Sequence, residues 1–258
     1  MNDNSMRAKC ALQALRAMDQ RGVGQVAGGL GAQAIDRLAD LDACTMAYRT
    51  WSPLLIPGLL QTPAYTAGAI KSHTPDIPHG ELGLLVTHRR MRSEAFFARR
   101  KALSMSTAWF LVGEQAIRRP LMNAFSHAEQ LRQLLWLIED TNNIVIHVVP
   151  EDIPVPVTAE PFSLFVLDPG PAVGHLETVI GGFYTITTED ITRLKAMFSD
   201  MVGRALSTRD SREFIREELY ECSGKIWEPT TEPDSSSPAT ATPRTASTSP
   251  VLPPAPSA

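Results

Sequence analysis

The chain has 258 residues, 43% of them hydrophobic and 20% charged, with a net charge of -4 at pH 7. That is enough apolar material for one globular domain with extensions, and too little positive charge to draw nucleic acid or an anionic membrane by bulk electrostatics. Cys10, Cys44 and Cys222 are odd in number and far apart, which excludes a disulfide framework and a paired-cysteine zinc site.

The opening MNDNSMRAKC lacks a signal-peptide pattern, and no apolar run approaches bilayer length, so the expected compartment is the cytoplasm. From Met6 to Met18, Leu12, Leu15 and Met18 alternate with Arg7, Lys9 and Arg16 as in a short amphipathic helix, and GVGQVAGGLG at 22–31 reads as a flexible connector. A second helix is predicted over 32–45, with Ile35, Leu38 and Leu41 on one stripe that extends toward Met46.

WSPLLIPGLLQTPAYTAGAI at 51–70 is apolar but carries Pro53, Pro57 and Pro63, which no continuous helix tolerates. It reads as a buried extended segment leading into a helix that starts near Thr62 and Pro63, since Thr caps and Pro suits the first helical position. Leu54, Leu55, Ile56, Leu59 and Leu60 are then wall or core residues. After the proline-bearing loop SHTPDIPHG, a long helical pattern runs from Glu81 to about Leu103.

TAWFLVGEQ at 107–115 reads as a buried strand and AFSHAEQLRQLLWLIED at 124–140 as an amphipathic helix with Leu131, Leu134, Leu135 and Ile138 inward. NIVIHVVP, PFSLFVLD and VGHLETVI are short apolar runs broken by proline and glycine, the pattern of strands in an antiparallel meander. A closing helix begins near Thr188 and a shorter one spans Thr208 to Tyr220. The expected fold is α+β: a small antiparallel sheet packed with amphipathic helices in one domain over 32–222. Residues 223–258, rich in Pro, Ser and Thr, read as a disordered tail.

GVGQVA matches the GxGxxA form of a dinucleotide fingerprint, with Asp40 or Asp42 near the acidic position, but it follows a helical pattern rather than a strand, so no cofactor is expected. HRRMRSEAFFARRKAL at 88–103 gathers Arg89, Arg90, Arg92, Arg99, Arg100 and Lys101 around Met91, Phe96 and Phe97. A solvated face with arginine stems over apolar surface is the plainer reading, and a phosphate or acidic partner the sharper one. His73, His79, His88, His127, His147 and His175 show no metal-ligand spacing, so no metal is expected, and His147 fits a satisfied core imidazole. Neither a GxSxG elbow nor a Cys/His pair with nucleophile flanks occurs.

The polar residues that stand out lie in apolar strands: Glu114, His175 and Glu177, with Arg118, Arg119 and Tyr184 close by in sequence. A buried carboxylate must be paired, hydrogen-bonded or protonated, so these groups form either structural ion pairs or the polar floor of a ligand pocket.

Taken in order, WSPLLIPGLLQTPAYTAGAI, GEQAIRRP, NIVIHVVPED, PFSLFVLD, HLETVIGGFY and ALSTRDSREFI resemble the uncharacterised C-terminal domain of actinobacterial Xre-type antitoxin-like regulators, over about Ile35 to Leu219. The resemblance implies a domain that senses a small molecule or docks a small partner protein, joined in its relatives to an N-terminal helix-turn-helix. Here about thirty residues precede the match, too few for that DNA-binding domain, so direct nucleic-acid binding is not expected. Two functions follow: a regulatory or accessory binding module, or an enzyme of specialised metabolism such as a cyclase or isomerase. Candidate acid/base residues are Glu114, His175, Glu177 and Tyr184, and candidate ligand contacts are Leu55, Leu59, Gln61, Tyr65, Arg118, Glu177 and Tyr184. A homodimer is the default assembly.

Overall fold

The computed structural model describes residues 25–27, 32–102, 107–141, 143–153, 160–167, 170–178 and 181–227. The helix expected at Met6–Met18 and residues 228–258 of the expected tail lie outside them.

In chain order the elements are β1 (Gln25–Ala27), α1 (Ala32–Cys44), β2 (Thr45–Ser52), a 3-10 turn (Gly58–Leu60), α2 (Pro63–His73), α3 (His79–Ala102), β3 (Ala108–Gly113), α4 (Glu114–Arg118), α5 (Ala124–Asp140), β4 (Ile144–Val149), β5 (Phe162–Leu167), β6 (Ala172–Thr178), β7 (Gly181–Thr185), α6 (Thr188–Arg204) and α7 (Thr208–Trp227). The α+β class is as expected. The sheet has seven strands in the order β1-β7-β6-β5-β2-β3-β4.

The antiparallel expectation holds for only part of that sheet. β5, β6 and β7 form the meander, and β5 pairs antiparallel with β2, but β2, β3 and β4 run parallel. Parallel neighbours need a crossover of a dozen or more residues. The chain supplies two, one carrying α2 and α3 between β2 and β3, the other carrying α4 and α5 between β3 and β4.

Other boundaries also depart from the sequence reading. Gln25–Ala27, within the expected connector, pairs with β7 as an edge strand. Helix α1 stops at Cys44 and β2 begins at the next residue, with the Thr45 hydroxyl donating to the Leu41 carbonyl at 2.7 Å. Glu114 opens α4 instead of ending a strand, and α7 continues past Tyr220 to Trp227. Where cap chemistry is local, the reading is accurate: Thr62 Oγ1 accepts from Tyr65 N at 3.2 Å, with Pro63 in the first turn.

One sheet face buries Trp51, Leu111, Phe162 and Leu164 against Ile191, Leu194, Phe198 and Met201 of α6. The opposite face holds the larger core, where Tyr48, Phe110 and Phe165 meet Phe96 of α3, Leu131 and Leu134 of α5, and Ile215 of α7. Tyr48 lies 5.2 to 5.5 Å, ring to ring, from Phe96, Phe110 and Phe165, in edge or tilted contacts.

Candidate functional site

The apolar, proline-bearing stretch 51–70 ties its own backbone down. Tyr65, fully buried, accepts from Ile56 N at 3.0 Å, and burial pushes its phenol up to about 12. Gln61 Nε2 donates to Ile56 O at 2.7 Å, Ser93 donates to Leu59 O at 2.7 Å, and Gln130 both accepts from Thr62 N and donates to Leu60 O. Its proline-broken part, 53–62, cannot pair all its backbone groups in a helix or sheet, so its own Gln61, Tyr65 of α2, and side chains from α3 and α5 do it. Leu59 and Tyr65 are core, Leu55 is partly buried, and Leu54 is 53% exposed.

Gln61 also reaches beyond this network. Its Oε1 accepts from Thr66 Oγ1 at 3.1 Å and from Arg89 NH1 at 2.9 Å, so the loop fixes an arginine of α3. Arg89 belongs to a stripe at residues 82, 85, 89, 92, 96 and 100 that keeps helical spacing. Leu82, Leu85, Phe96 and Arg100 are buried on it, and the Arg92 side chain is 8% exposed. The plainer sequence reading, a solvated basic face, therefore fits Arg90 and Lys101 but not Arg89, Arg92 or Arg100.

Beneath α3 the sheet presents a row of polar residues in register across four strands. Thr50 of β2 pairs with Ser163 of β5, Ser163 with His175 of β6, and His175 with Tyr184 of β7. Directly paired residues share a face. The Ser163 hydroxyl lies 2.9 Å from Thr50 Oγ1 and 3.0 Å from Tyr48 OH, and the His175 and Tyr184 rings sit 4.6 Å apart at 36°. Gly182 makes the row possible: a Cβ there would run into His175 Nε2 and come within 3.1 Å of Cδ2.

The electrostatics are set by burial. His175, 7% exposed, is lowered to about 4 chiefly by desolvation, with Glu177 opposing the shift and Arg92 adding to it, so its imidazole is neutral at pH 7. Asp42 of α1, 4% exposed, accepts from Arg92 Nε at 2.6 Å. Burial raises the Asp42 carboxyl while Arg92 and Arg100 hold it back. Desolvation lowers Arg89, and the charge of Glu177 opposes that shift.

The candidate residues fall into two groups. His175, Glu177 and Tyr184 are together on the β6–β7 surface, faced by Arg89 and Arg92. Glu177 is exposed, which corrects its reading as a buried carboxylate; it follows His175 by two residues, where the sheet face runs out toward solvent. Glu114 and Arg118 form the other group, three strand positions or roughly 14 Å away across the sheet. Arg118 pairs with Glu114 at 2.9 Å and Glu218 at 2.8 Å, and Glu114 accepts from Glu151 N at 3.0 Å, a structural tie between α4, α7 and the end of β4.

The satisfied core imidazole expected at His147 is not what forms: Nε2 lies 3.0 Å from Thr208 Oγ1 and the ring packs on Trp109, but the residue is only partly buried and its Nδ1 has no partner among the described residues. Among the described residues, no group of three His, Cys, Asp or Glu side chains is placed to hold a metal ion, and no helix is long and apolar enough to cross a membrane. A surface depression of about 400 Å³ on α7, lined by Glu213, Arg216, Glu217, Tyr220 and Glu221, has only solvated groups and no convergent buried polar atom.

Sequence reasoning missed Thr50, Ser163 and Asp42 as site members and misplaced the arginines. The unbroken 82–100 stripe carried the signal for the arginines; Ser and Thr within strands carry none. No curated protein is similar to the chain. Residues 35–217 match the family model described as Domain of unknown function (DUF5753), and the chain belongs to that family.

Proposed function

We propose that the chain is a regulatory binding module that takes a small organic molecule on the polar row beneath α3, a role consistent with the resemblance to the effector domain of actinobacterial Xre-type antitoxin-like regulators. The observation that carries this reading is the in-register row of the neutral His175, Tyr184, Ser163 and Thr50 across four strands, with the charge of Arg92 acting on His175 and Tyr184. Hydrogen-bonding groups held on rigid strands beside an arginine are suited to orienting a ligand with polar substituents. A small partner protein is the other occupant such a regulator could take.

A second reading has its own support. His175 and Tyr184, in ring contact, are two groups able to carry protons, and Glu177 stands beside them, so the row could serve a cofactor-independent cyclase or isomerase of specialised metabolism.

Native mass spectrometry of the protein captured from its host tests the first reading. The expected result is a co-purifying small molecule on the wild-type chain that is lost from a folded Glu177→Gln/Tyr184→Phe variant. A ligand retained by the double variant, or a bare chain in both, would overturn it. A small protein bound in place of the molecule would move the function to partner docking.

A further inference from the structure

Among the described residues, Arg99 and Arg100 near the end of α3 have no acceptor for their buried Nε and NH1 atoms. Arg92 is matched by Asp42 at 2.6 Å and Arg89 by Gln61 at 2.9 Å. Arg100 is 3% exposed, yet among the described residues nothing accepts from its Nε or NH1; its guanidinium lies 4.2 Å over the Phe96 ring. Arg99, its neighbour, has buried Nε and NH1 atoms in the same state.

The local charge balance points the same way. Among the described residues Arg92, Arg99 and Arg100 are three cations and Asp42 is the buried carboxylate near them, with Oδ2 engaged by Arg92 and Oδ1 buried without a partner. Arg100 feels the charge of both Asp42 and Arg99. An aromatic face offsets only part of the cost of stripping water from a guanidinium. The forked donors of arginine are matched geometrically by planar carboxylates and by phosphate oxygens.

We propose that Arg99 and Arg100 form a receptor for a small oxyanion, a carboxylate or phosphate group, whose oxygens accept from the buried Nε and NH1 atoms. This site is separate from the His175 row and does not depend on the ligand assigned there. Its charge is permanent at physiological pH, since Arg100, lowered by burial to about 10, still holds its proton.

The test is thermal unfolding of the full chain, titrated with inorganic phosphate in one series and acetate in another, at constant ionic strength set with sodium chloride. Phosphate stabilises many proteins by exclusion from their surface, so the readout is the part of the shift that depends on the arginines. The wild-type midpoint is expected to rise saturably with at least one anion: phosphate alone would assign a phosphoryl group, acetate alone a carboxylate. Arg100→Met is expected to have a higher anion-free midpoint than wild type and no saturable rise. Arg100→Lys, which keeps the charge and loses the fork, is expected to fold and to need at least about tenfold more anion. No saturable rise with either anion in wild type, or the same rise in both variants, would overturn the proposal.

Discussion

Acid should expose the buried imidazole of His175. Its pKa falls from an ordinary 6.5 to about 4 in the fold, chiefly through desolvation. The unfolded chain therefore takes up a proton near pH 6.5 that the folded chain refuses until about pH 4. The sign follows: this group's contribution is fully present above pH 6.5 and is lost progressively as the pH falls to 4. Integrating proton uptake with these two values gives a loss of about 2–3 kcal/mol between pH 7 and pH 4.5. With a urea slope of roughly 2 kcal/mol per molar for a domain of this size, the unfolding midpoint moves by about 1 M. Carboxylates titrate in the same interval, so the measurement is a difference of differences: urea midpoints at pH 7 and 4.5 for wild type and for His175→Gln. The variant should lose less stability by about 2–3 kcal/mol, the amount the imidazole contributes. Equal losses in the two proteins would show that His175 is not held neutral by burial.

Three further outcomes rest on the same interior. Asp42→Asn leaves the Arg92 guanidinium buried without its anion and should cost about 3–5 kcal/mol in denaturant unfolding, whereas Asp42→Leu/Arg92→Met should return most of it. Tyr65→Phe deprives the Ile56 amide of its acceptor and should cost about 1–3 kcal/mol, seen as a melting shift of several degrees. Gln130→Leu should cost a similar amount, about 1–3 kcal/mol through the Thr62 amide alone, because Gln133 still donates to the Leu60 carbonyl. A Gln130→Leu protein as stable as wild type would mean that the loop finds another acceptor.

What the sequence revealed follows how local each cause is. The α2 start at Thr62 and Pro63 depends on a cap and a fixed φ, both written within three residues. The β4 and β5 runs were legible because they are short and nearly continuous in apolar residues. β2 escaped notice because TMAYRTWS mixes a polar face, Tyr48 and Thr50, with no turn residue separating it from α1. β7, reading GGFYT, was hidden by glycines, one of which is there to admit the His175 ring. The parallel pairing of β2, β3 and β4 is a property of strand order, which no window of sequence contains. His175 and Tyr184 were visible as polar residues in apolar surroundings, but their register partners Thr50 and Ser163 come from strands more than a hundred residues apart. The arginines were misplaced for a different reason: a charge on a helix usually marks solvent, and only the stripe running unbroken from Leu82 to Arg100 argued otherwise.

The state of His175 also bears on which of the two proposed functions the row serves. A general base works best with a pKa near the working pH, and enzymes shift their acids and bases toward neutrality to reach that balance. Here burial drives the imidazole the other way, to about 4, which leaves it correctly deprotonated at pH 7 but about three orders of magnitude less basic than a group poised there. A neutral imidazole of that kind is well suited to a fixed hydrogen bond with a ligand, because it does not change charge when cellular pH drifts. A catalytic role would require the substrate to raise that pKa, and an anion placed between His175 and Arg92 is one way to do so, since Arg92 contributes to the depression. The two readings therefore separate on one quantity: the His175 imidazole carbon resonances, followed by pH titration, should stay those of a neutral ring down to about pH 5 with ligand bound if the site only binds, and should titrate near neutrality if it turns substrate over.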